Sequence, residues 1–195
     1  MPVTELDPHT ALVLIDLQRG IGTMAPADLI DPVADAAGRL ATGFRARGLP
    51  VVLVRVEFSA DLGDFPRNRA TAAVPPPATL PAGFAEILPA VGRRPEDLLV
   101  TKRQPGAFHG TDLDLQLRRR GVTGIVLGGL FTSLGVESTA RAGYDHGYNV
   151  TFAADAMADR NPAAHEHSVR TVFPRFGEVG DVASILRLLA VGVPA

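Results

Sequence analysis

The chain has 195 residues, of which 46% are hydrophobic and 21% are charged, and its formal net charge is -2 at pH 7. These values are typical of one globular domain with a sizeable core, and they exclude wholesale disorder. A nucleic-acid-binding surface is not favoured, because it would need a basic excess. No stretch is long and apolar enough to span a bilayer, and the acidic N-terminus lacks the basic region of a signal peptide. We therefore expect a cytoplasmic protein with neither a nucleic-acid nor a membrane partner.

The counts of cysteine and lysine are the most informative. The chain has no cysteine, which excludes disulfides, cysteine-ligated metal centres and any cysteine nucleophile. Lysine occurs once, as Lys102, among 19 lysine and arginine residues. The position of this single ammonium group is therefore of interest for the chemistry of the protein.

Apolar runs and helical patterns alternate along the chain. The first predicted elements, in chain order, are a strand at 11–16, a helix at 31–48 and a strand at 50–56. After a long irregular segment, the pattern predicts strands at 98–102, 124–129, 149–155 and 178–179, separated and followed by helices at 111–121, 133–146, 163–173 and 182–189. This alternation predicts an α/β domain over residues 1–195, with a six-stranded, mostly parallel sheet and helices on both faces.

The irregular segment, residues 57–95, contains seven of the 16 prolines. We expect a long loop there, with one short helical turn near 84–88. Long loops in compact domains are often lids or binding loops, but a plain surface insertion is an equal alternative.

Two chemically active side chains follow apolar strands. Open parallel sheets bind ligands beyond the carboxyl ends of their strands, where Asp16 and Lys102 both fall. An acid buried there is either paired or catalytic, and a neighbouring lysine would stabilise its ionised form. The alternatives are a solvated loop acid and an exposed strand-end lysine.

Other motifs carry less information. Segment 128–139 is a strand–turn–helix, which suits an oxyanion or is an ordinary tight turn. Gly20 and Gly22 match part of a dinucleotide-binding pattern, but they do not follow the strand directly. His165 and His167 lie two positions apart in a predicted helix and do not form a chelating pair, so we expect no catalytic metal. No G-x-S-x-G motif of a serine hydrolase occurs.

Three segments together resemble the isochorismatase-like hydrolase family, also called the cysteine hydrolase superfamily. They are LVLIDLQRG around Asp16, TKRQPGAFHGTDLDLQLRRRGV around Lys102, and GGLFTSLGVESTARAGYDHGYNVTFAADAMAD. The resemblance covers most of the chain outside the proline-rich segment. It implies a six-stranded parallel sheet, a homodimer or homotetramer, a cofactor-independent reaction and a cis peptide bond between Leu130 and Phe131.

The best-known members of this family use an Asp–Lys–Cys triad. Asp16 and Lys102 match its first two residues, whereas Gly135 stands at the place of the cysteine. Glycine has no side chain to attack an amide, so thioester chemistry is excluded. The metal-binding histidines of nicotinamidases are also missing from RVEFSADLGD. True isochorismatases likewise have glycine there, and they hydrolyse a vinyl ether to release pyruvate from isochorismate.

The resemblance therefore implies hydrolysis of a small carboxylated enol ether, with Asp16 as the general acid. Burial would raise the pKa of Asp16 and Lys102 would lower it, and substrate carboxylates that pair with Lys102 would relieve this opposition. The expected substrate contacts are Gln18, Gln104, Phe108, Leu130, Phe131 and Thr132. The candidates for binding a substrate carboxylate are Arg19, Arg55, Arg103 and Arg141.

Two other hypotheses remain open at this point. The protein is alternatively a non-catalytic member that binds a small molecule or acts as a scaffold, although the presence of both Asp16 and Lys102 argues against this. It is otherwise a cysteine hydrolase in which the cysteine has been substituted, a case in which alanine or serine would be more usual than Gly135.

Overall fold

The structure is a computed structural model that describes residues 3–72 and 75–191. The ends of the predicted domain, at 1 and 195, and two residues of the proline-rich segment lie outside the described residues.

Six strands form one sheet. They are β1 (Thr10–Ile15), β2 (Val51–Val56), β3 (Leu98–Lys102), β4 (Gly124–Leu130), β5 (Asn149–Ala158) and β6 (Gly177–Gly180). Their order is β3–β2–β1–β4–β5–β6, and every neighbouring pair is parallel. The predicted six-stranded α/β architecture is confirmed.

Helices cover both faces of this sheet. They are α1 (Arg19–Gly22), α2 (Ala27–Ala46), α3 (Leu113–Arg118), α4 (Glu137–Asp145), α5 (Pro162–His167) and α6 (Val182–Val191). Helices α2 and α6 bury their apolar stripes in a cluster on one face, and α3 and α4 contribute to a second cluster on the other. None of the helices in the described ranges is long and apolar enough to cross a membrane.

Several predicted boundaries differ from the observed ones, and large shifts occur at the end of β5 and at the start of α2. Helix α2 begins at Ala27 and not at the predicted residue 31. Pro32 was expected in the first turn of the helix, but it lies inside the helix. Strand β5 continues past Asp155 to Ala158. The Asp155 side chain accepts a hydrogen bond from the Val182 backbone N–H at 2.7 Å, so an acid within the strand is satisfied and does not end it.

The proline-rich segment is tied to the chain that follows β1. Ile87 forms an antiparallel bridge with Gln18, and the Gly20 N–H donates to the Phe84 carbonyl at 2.9 Å. A Cβ atom at Gly20 would lie 2.0 Å from the Phe84 ring, so this approach requires glycine. Tight turns are found at 82–85, Ile87 lies in the bridge, and a 3₁₀ turn follows at Pro89–Val91, so no helical turn spans 84–88.

The order of the strands defines where a ligand would bind. Strand β1 has β2 on one side and β4 on the other, so the direction in which the sheet is built reverses there. The carboxyl ends of β1 and β4 form the topological switch point, which is the usual ligand site of open α/β sheets. Asp16 directly follows β1, and the turn that contains Gly135 follows β4.

Candidate active site

A buried ion pair lies at the carboxyl edge of the sheet. The Lys102 Nζ donates to the Asp16 Oδ2 at 2.7 Å and to the Pro105 carbonyl at 2.8 Å. Only 2% of the Lys102 side chain and 9% of the Asp16 side chain are exposed. Because β2 lies between β1 and β3, the side chains of Lys102 and Asp16 together bridge the end of β2, a span of about 10 Å at the usual strand spacing.

The second oxygen of the Asp16 carboxyl group has different surroundings. The Oδ1 atom is buried and has no hydrogen-bond partner within residues 3–72 and 75–191. Burial disfavours the carboxylate and raises the pKa of Asp16 from 3.8 to about 6, although the charge and hydrogen bond of Lys102 act in the opposite direction. The group is therefore able to hold a proton near neutral pH.

The backbone at Asp16 is strained. Its φ of 55° lies in the left-handed region, which is uncommon for residues other than glycine. The Asp16 N–H donates to the Val54 carbonyl, and the Asp16 carbonyl accepts from the Gln18 N–H, both at 2.8 Å. These bonds hold the change of direction at the end of β1. Strained residues of this kind cluster at functional sites.

Gly135 packs directly against the acid. It lies in a π-helical turn, Thr132–Val136, that follows β4. An ideal Cβ atom at this position would lie 3.2 Å from the Asp16 Oδ2 and 3.0 Å from the Leu130 carbonyl oxygen. A side chain at position 135 would therefore contact the ion pair, and glycine leaves that position without one. The Leu130–Phe131 peptide bond at the start of the turn is cis.

Asp159 supports this turn and was missed by the sequence analysis. Its Oδ2 accepts hydrogen bonds from the Ser133 N–H at 2.8 Å and from the Ser133 hydroxyl at 2.7 Å, and its Oδ1 accepts from the Asn161 N–H. Asp159 follows β5 as Asp16 follows β1. The sequence does contain a signal for Asp159, since an acid follows the apolar residues 156–158. The prediction ended β5 at 155, so this acid was not recognised as a strand-end residue.

The Gln18 side chain binds the protein's own backbone. Its side-chain NH₂ donates to the carbonyls of Val56 and Phe84 at 2.8 and 2.9 Å, and its oxygen accepts from the Val56 N–H at 2.7 Å. The amide is therefore fully used in joining β2 and the proline-rich segment to the end of β1. The expected contact of Gln18 with a substrate stays a prediction.

The two residues expected to bind substrate after β3 are also committed elsewhere. The Gln104 amide donates to the carbonyls of Gly106 and His109 within its own loop. The buried Phe108 ring packs against the rings of His146 and Tyr148, with centroids 5.0 and 5.8 Å away. These contacts account for both side chains as supports of the loop and of the core.

The three residues expected at the turn after β4 have different placements. Leu130 is a core residue whose carbonyl borders position 135. Phe131 is partly buried, and the Arg160 guanidinium lies 5.3 Å from its ring centroid. Thr132 is fully buried, with its hydroxyl 2.8 Å from the Nδ1 of His165, whose pKa is lowered by burial.

The arginines that were candidates for binding a substrate carboxylate are each paired with an acid. These pairs are Arg19–Glu86, Arg55–Glu57, Arg103–Asp64 and Arg141–Glu137. Arg141 lies along α4 and over the Phe176 ring, so its contacts are those of a helix-surface residue. No group of three His, Asp or Glu side chains in the described part of the chain is arranged to hold a metal ion.

Comparison with known proteins identifies the family of this chain. The sequence profile of the isochorismatase domain matches residues 10–184. The chain belongs to the isochorismatase family. YecD of Escherichia coli O157:H7, an uncharacterized isochorismatase family protein, is 45% identical over 182 residues, which cover 92% of this chain and 96% of YecD.

The structural comparison supports the same family. An isochorismatase family protein from Burkholderia thailandensis has a TM-score of 0.89 and 41% identity, covering 95% of this chain and 98% of that one. The ureidoacrylate amidohydrolase RutB of Methylorubrum extorquens is 36% identical over 99 residues, which are 50% of this chain and 40% of RutB. The protein is accordingly an isochorismatase-family hydrolase.

Proposed function

We propose that this hydrolase cleaves a small carboxylated enol ether of isochorismate type and releases pyruvate, with Asp16 as the general acid. The observation that carries the proposal is the buried Asp16 Oδ1, which no described protein group binds, beside a position 135 that has no side chain. A proton on this oxygen is not held by another described residue, and in this proposal it is the proton that the substrate receives.

The reaction needs a proton donor rather than a nucleophile. Asp16 gives its proton to the methylene carbon of the enol ether, and the electrons of the double bond form the new C–H bond. Water adds to the resulting oxocarbenium ion and returns a proton to the Asp16 carboxylate. The bond between the hemiketal carbon and the ether oxygen then breaks. The ether oxygen leaves as an alcohol with a proton from Asp16, and the hemiketal hydroxyl returns its proton to Asp16 as it becomes the carbonyl of pyruvate. No step requires a covalent bond to Gly135.

Lys102 has a positioning role in this proposal. It binds Oδ2, so the proton is directed to Oδ1. With the pKa of Asp16 at about 6, roughly a tenth of the free enzyme holds the proton at pH 7. A substrate carboxylate close to the ion pair would increase that fraction, because a second negative charge disfavours the ionised acid.

Amide hydrolysis is the main catalytic rival, since the relative RutB is an amidohydrolase. The thioester route needs a nucleophilic side chain, which Gly135 lacks. The variant Gly135→Cys tests whether only the thiol is missing. Under our proposal it gains no activity on ureido or amide substrates, and enol-ether hydrolysis falls because the new Cβ lies 3.2 Å from the Asp16 Oδ2.

The central experiment measures pyruvate release from isochorismate and a small panel of carboxylated enol ethers. We expect turnover by the parent protein and a loss of roughly 10²- to 10⁴-fold in kcat/KM for Asp16→Asn, which cannot supply the proton. Asp35→Asn, an exposed acid on α2, is the matched control and should retain full activity.

Two results would contradict the proposal. Equal activity of Asp16→Asn and the parent protein would remove Asp16 from the chemistry. Tight binding of these compounds without turnover would instead favour the non-catalytic binding protein.

A further inference from the structure

A cavity of about 560 Å³ lies at the edge of the sheet opposite to Asp16. Its walls include Val51 and Leu98, the first residues of β2 and β3. Strand β3 advances about 13 Å from Leu98 to Lys102, at about 3.3 Å per residue. The cavity is therefore separated from the ion pair by the length of a strand, and it does not belong to the site described above.

Positive charge prevails among the side chains of this cavity. Three arginines face two acids, and a histidine also lines the cavity. These residues are Arg45, Arg94, Arg120, Glu96, Asp97 and His9. Arg94 and Glu96 are 3.9 Å apart and both more than half exposed, so this pair is weak. Arg120 has no carboxylate partner within the described ranges, and its Nη1 is oriented by the carbonyl and side-chain oxygens of Gln116.

One wall of the cavity is a rigid, buried ion pair. Arg45 donates from Nε and Nη2 to the two oxygens of Asp97, at 2.9 and 2.6 Å. The side chains are only 8% and 2% exposed, and Asp97 also accepts from the Arg94 N–H at 2.7 Å. The charge of Asp97 is thus already satisfied. The Arg45 Nη1 has no hydrogen-bond partner among the described residues. The guanidinium is therefore held in place by Asp97 and still has unused N–H donors.

Apolar groups form the rest of the lining. They come from the chain between α2 and β2, from the start of β3 and from the approach to β4, and they are Leu49, Pro50, Val51, Leu98 and Val122. Apolar surface of this kind favours a ligand with an apolar body, and guanidinium groups favour an oxyanion with two accessible oxygens.

We propose that this cavity is a binding site for a small organic anion, one with a carboxylate or phosphate group on a flat apolar body. The oxyanion contacts Arg120 and the spare donors of Arg45, and the apolar body lies against Val51, Leu98 and Val122. The site is independent of the enol-ether reaction, because no residue of the Asp16–Lys102 pair lines it.

Isothermal titration calorimetry with the full chain tests this proposal, with benzoate, phenyl phosphate and inorganic phosphate as probes. We expect one site per chain for benzoate or phenyl phosphate and weaker binding of inorganic phosphate, which lacks the apolar body. Arg120→Gln should weaken binding roughly tenfold through the loss of a charged contact. Arg119→Gln, the same change at an exposed neighbour that does not line the cavity, should leave the affinity unchanged.

Further variants keep the result interpretable. Arg94→Gln removes another positive charge that lines the cavity and should also weaken the binding of benzoate and phenyl phosphate, so it replaces Arg120→Gln if the latter does not fold. Asp16→Asn should bind the probes as the parent protein does, which separates this site from the active site even if no enol ether is turned over. No binding of benzoate or phenyl phosphate at millimolar concentration, inorganic phosphate binding as tightly as phenyl phosphate, or equal losses in Arg119→Gln and Arg120→Gln would overturn the proposal.

Discussion

The two oxygens of the Asp16 carboxyl group differ in what they contact. Oδ2 accepts from Lys102, whereas Oδ1 is buried without a partner among the described residues. An unpaired buried acceptor is costly for the folded protein, and protonation lowers that cost. The same arrangement that disfavours the carboxylate therefore leaves more of Asp16 protonated near neutral pH, as a general acid requires.

The pH dependence of the reaction follows from this arrangement. In the proposed reaction Asp16 acts while protonated, so kcat/KM should fall as the pH rises above about 6. Lys102→Met removes the charge that lowers the pKa of Asp16, so the pKa should rise above 6 and the fall in kcat/KM should move to higher pH. Carbon-13 NMR titration of the Asp16 carboxyl group, assigned with Asp16→Asn, measures this pKa without relying on activity.

Arg103→Met is the control for that titration. Arg103 is the next residue in the chain and is paired with Asp64 on the surface, so its loss should leave the pKa of Asp16 unchanged. A pKa of Asp16 that stays at the same value, or falls, in Lys102→Met would contradict the assignment of Lys102 as the opposing charge.

The location of a site residue could be predicted from the sequence where that residue ends or directly follows a strand. Asp16 and Lys102 follow apolar strands, and parallel strands bring such residues to one edge. Gln18 and Phe108 follow the same strands, but their roles depend on long-range packing. The Gln18 amide binds residues of β2 and of the proline-rich segment, and the Phe108 ring packs on Tyr148, which no local pattern indicates.

The turn between β4 and α4 depends on a neighbouring element for its shape. Asp159, beyond the end of β5, accepts both bonds from Ser133 at the start of that turn. The turn places Gly135 against Asp16, so the geometry of the site depends on the end of a strand that supplies no reacting group.

The variant Asp159→Asn tests this dependence. It loses a charged acceptor for two partly buried hydrogen bonds, and we expect the free energy of unfolding to fall by about 1–3 kcal/mol, as measured by urea denaturation. Asp145→Asn, an exposed acid at the end of α4, should change stability by less than about 0.5 kcal/mol. Equal effects of the two substitutions would mean that Asp159 does not hold the turn.

At the scale of elements, the strands could be predicted more fully than the segments that join them. Buried parallel strands are continuous apolar runs, and β1, β2 and β4 have that form. The end of β5 was misplaced because Asp155 is satisfied by the backbone of α6, a partner distant in sequence. The π-helical turn at Thr132–Val136 has no sequence signature that distinguishes it from a regular first helical turn.

The molecule as a whole presents two edges of one sheet with different surroundings. The carboxyl edge holds a buried acid–lysine pair, and the amino edge holds a basic cavity. The family resemblance also implies a homodimer or homotetramer. Large apolar side chains that are about half exposed are available for such contacts, and they include Leu115, Leu134 and Tyr144.

Sedimentation equilibrium over a range of protein concentrations tests the assembly. We expect a mass of two or four chains, because burial of these apolar side chains favours association. A single-chain mass at every concentration would contradict this expectation, and it would also mean that each chain completes its own active site.

The glycine that packs against Asp16 also has a consequence for how the protein withstands its surroundings. Enzymes that rely on a reactive thiolate lose activity when peroxide converts it to sulfenic or sulfinic acid. Position 135 offers no sulfur, and the chain contains no cysteine at any other position. We therefore expect the hydrolase to retain its activity in the presence of peroxide or of thiol-alkylating compounds, which inactivate enzymes with a cysteine nucleophile.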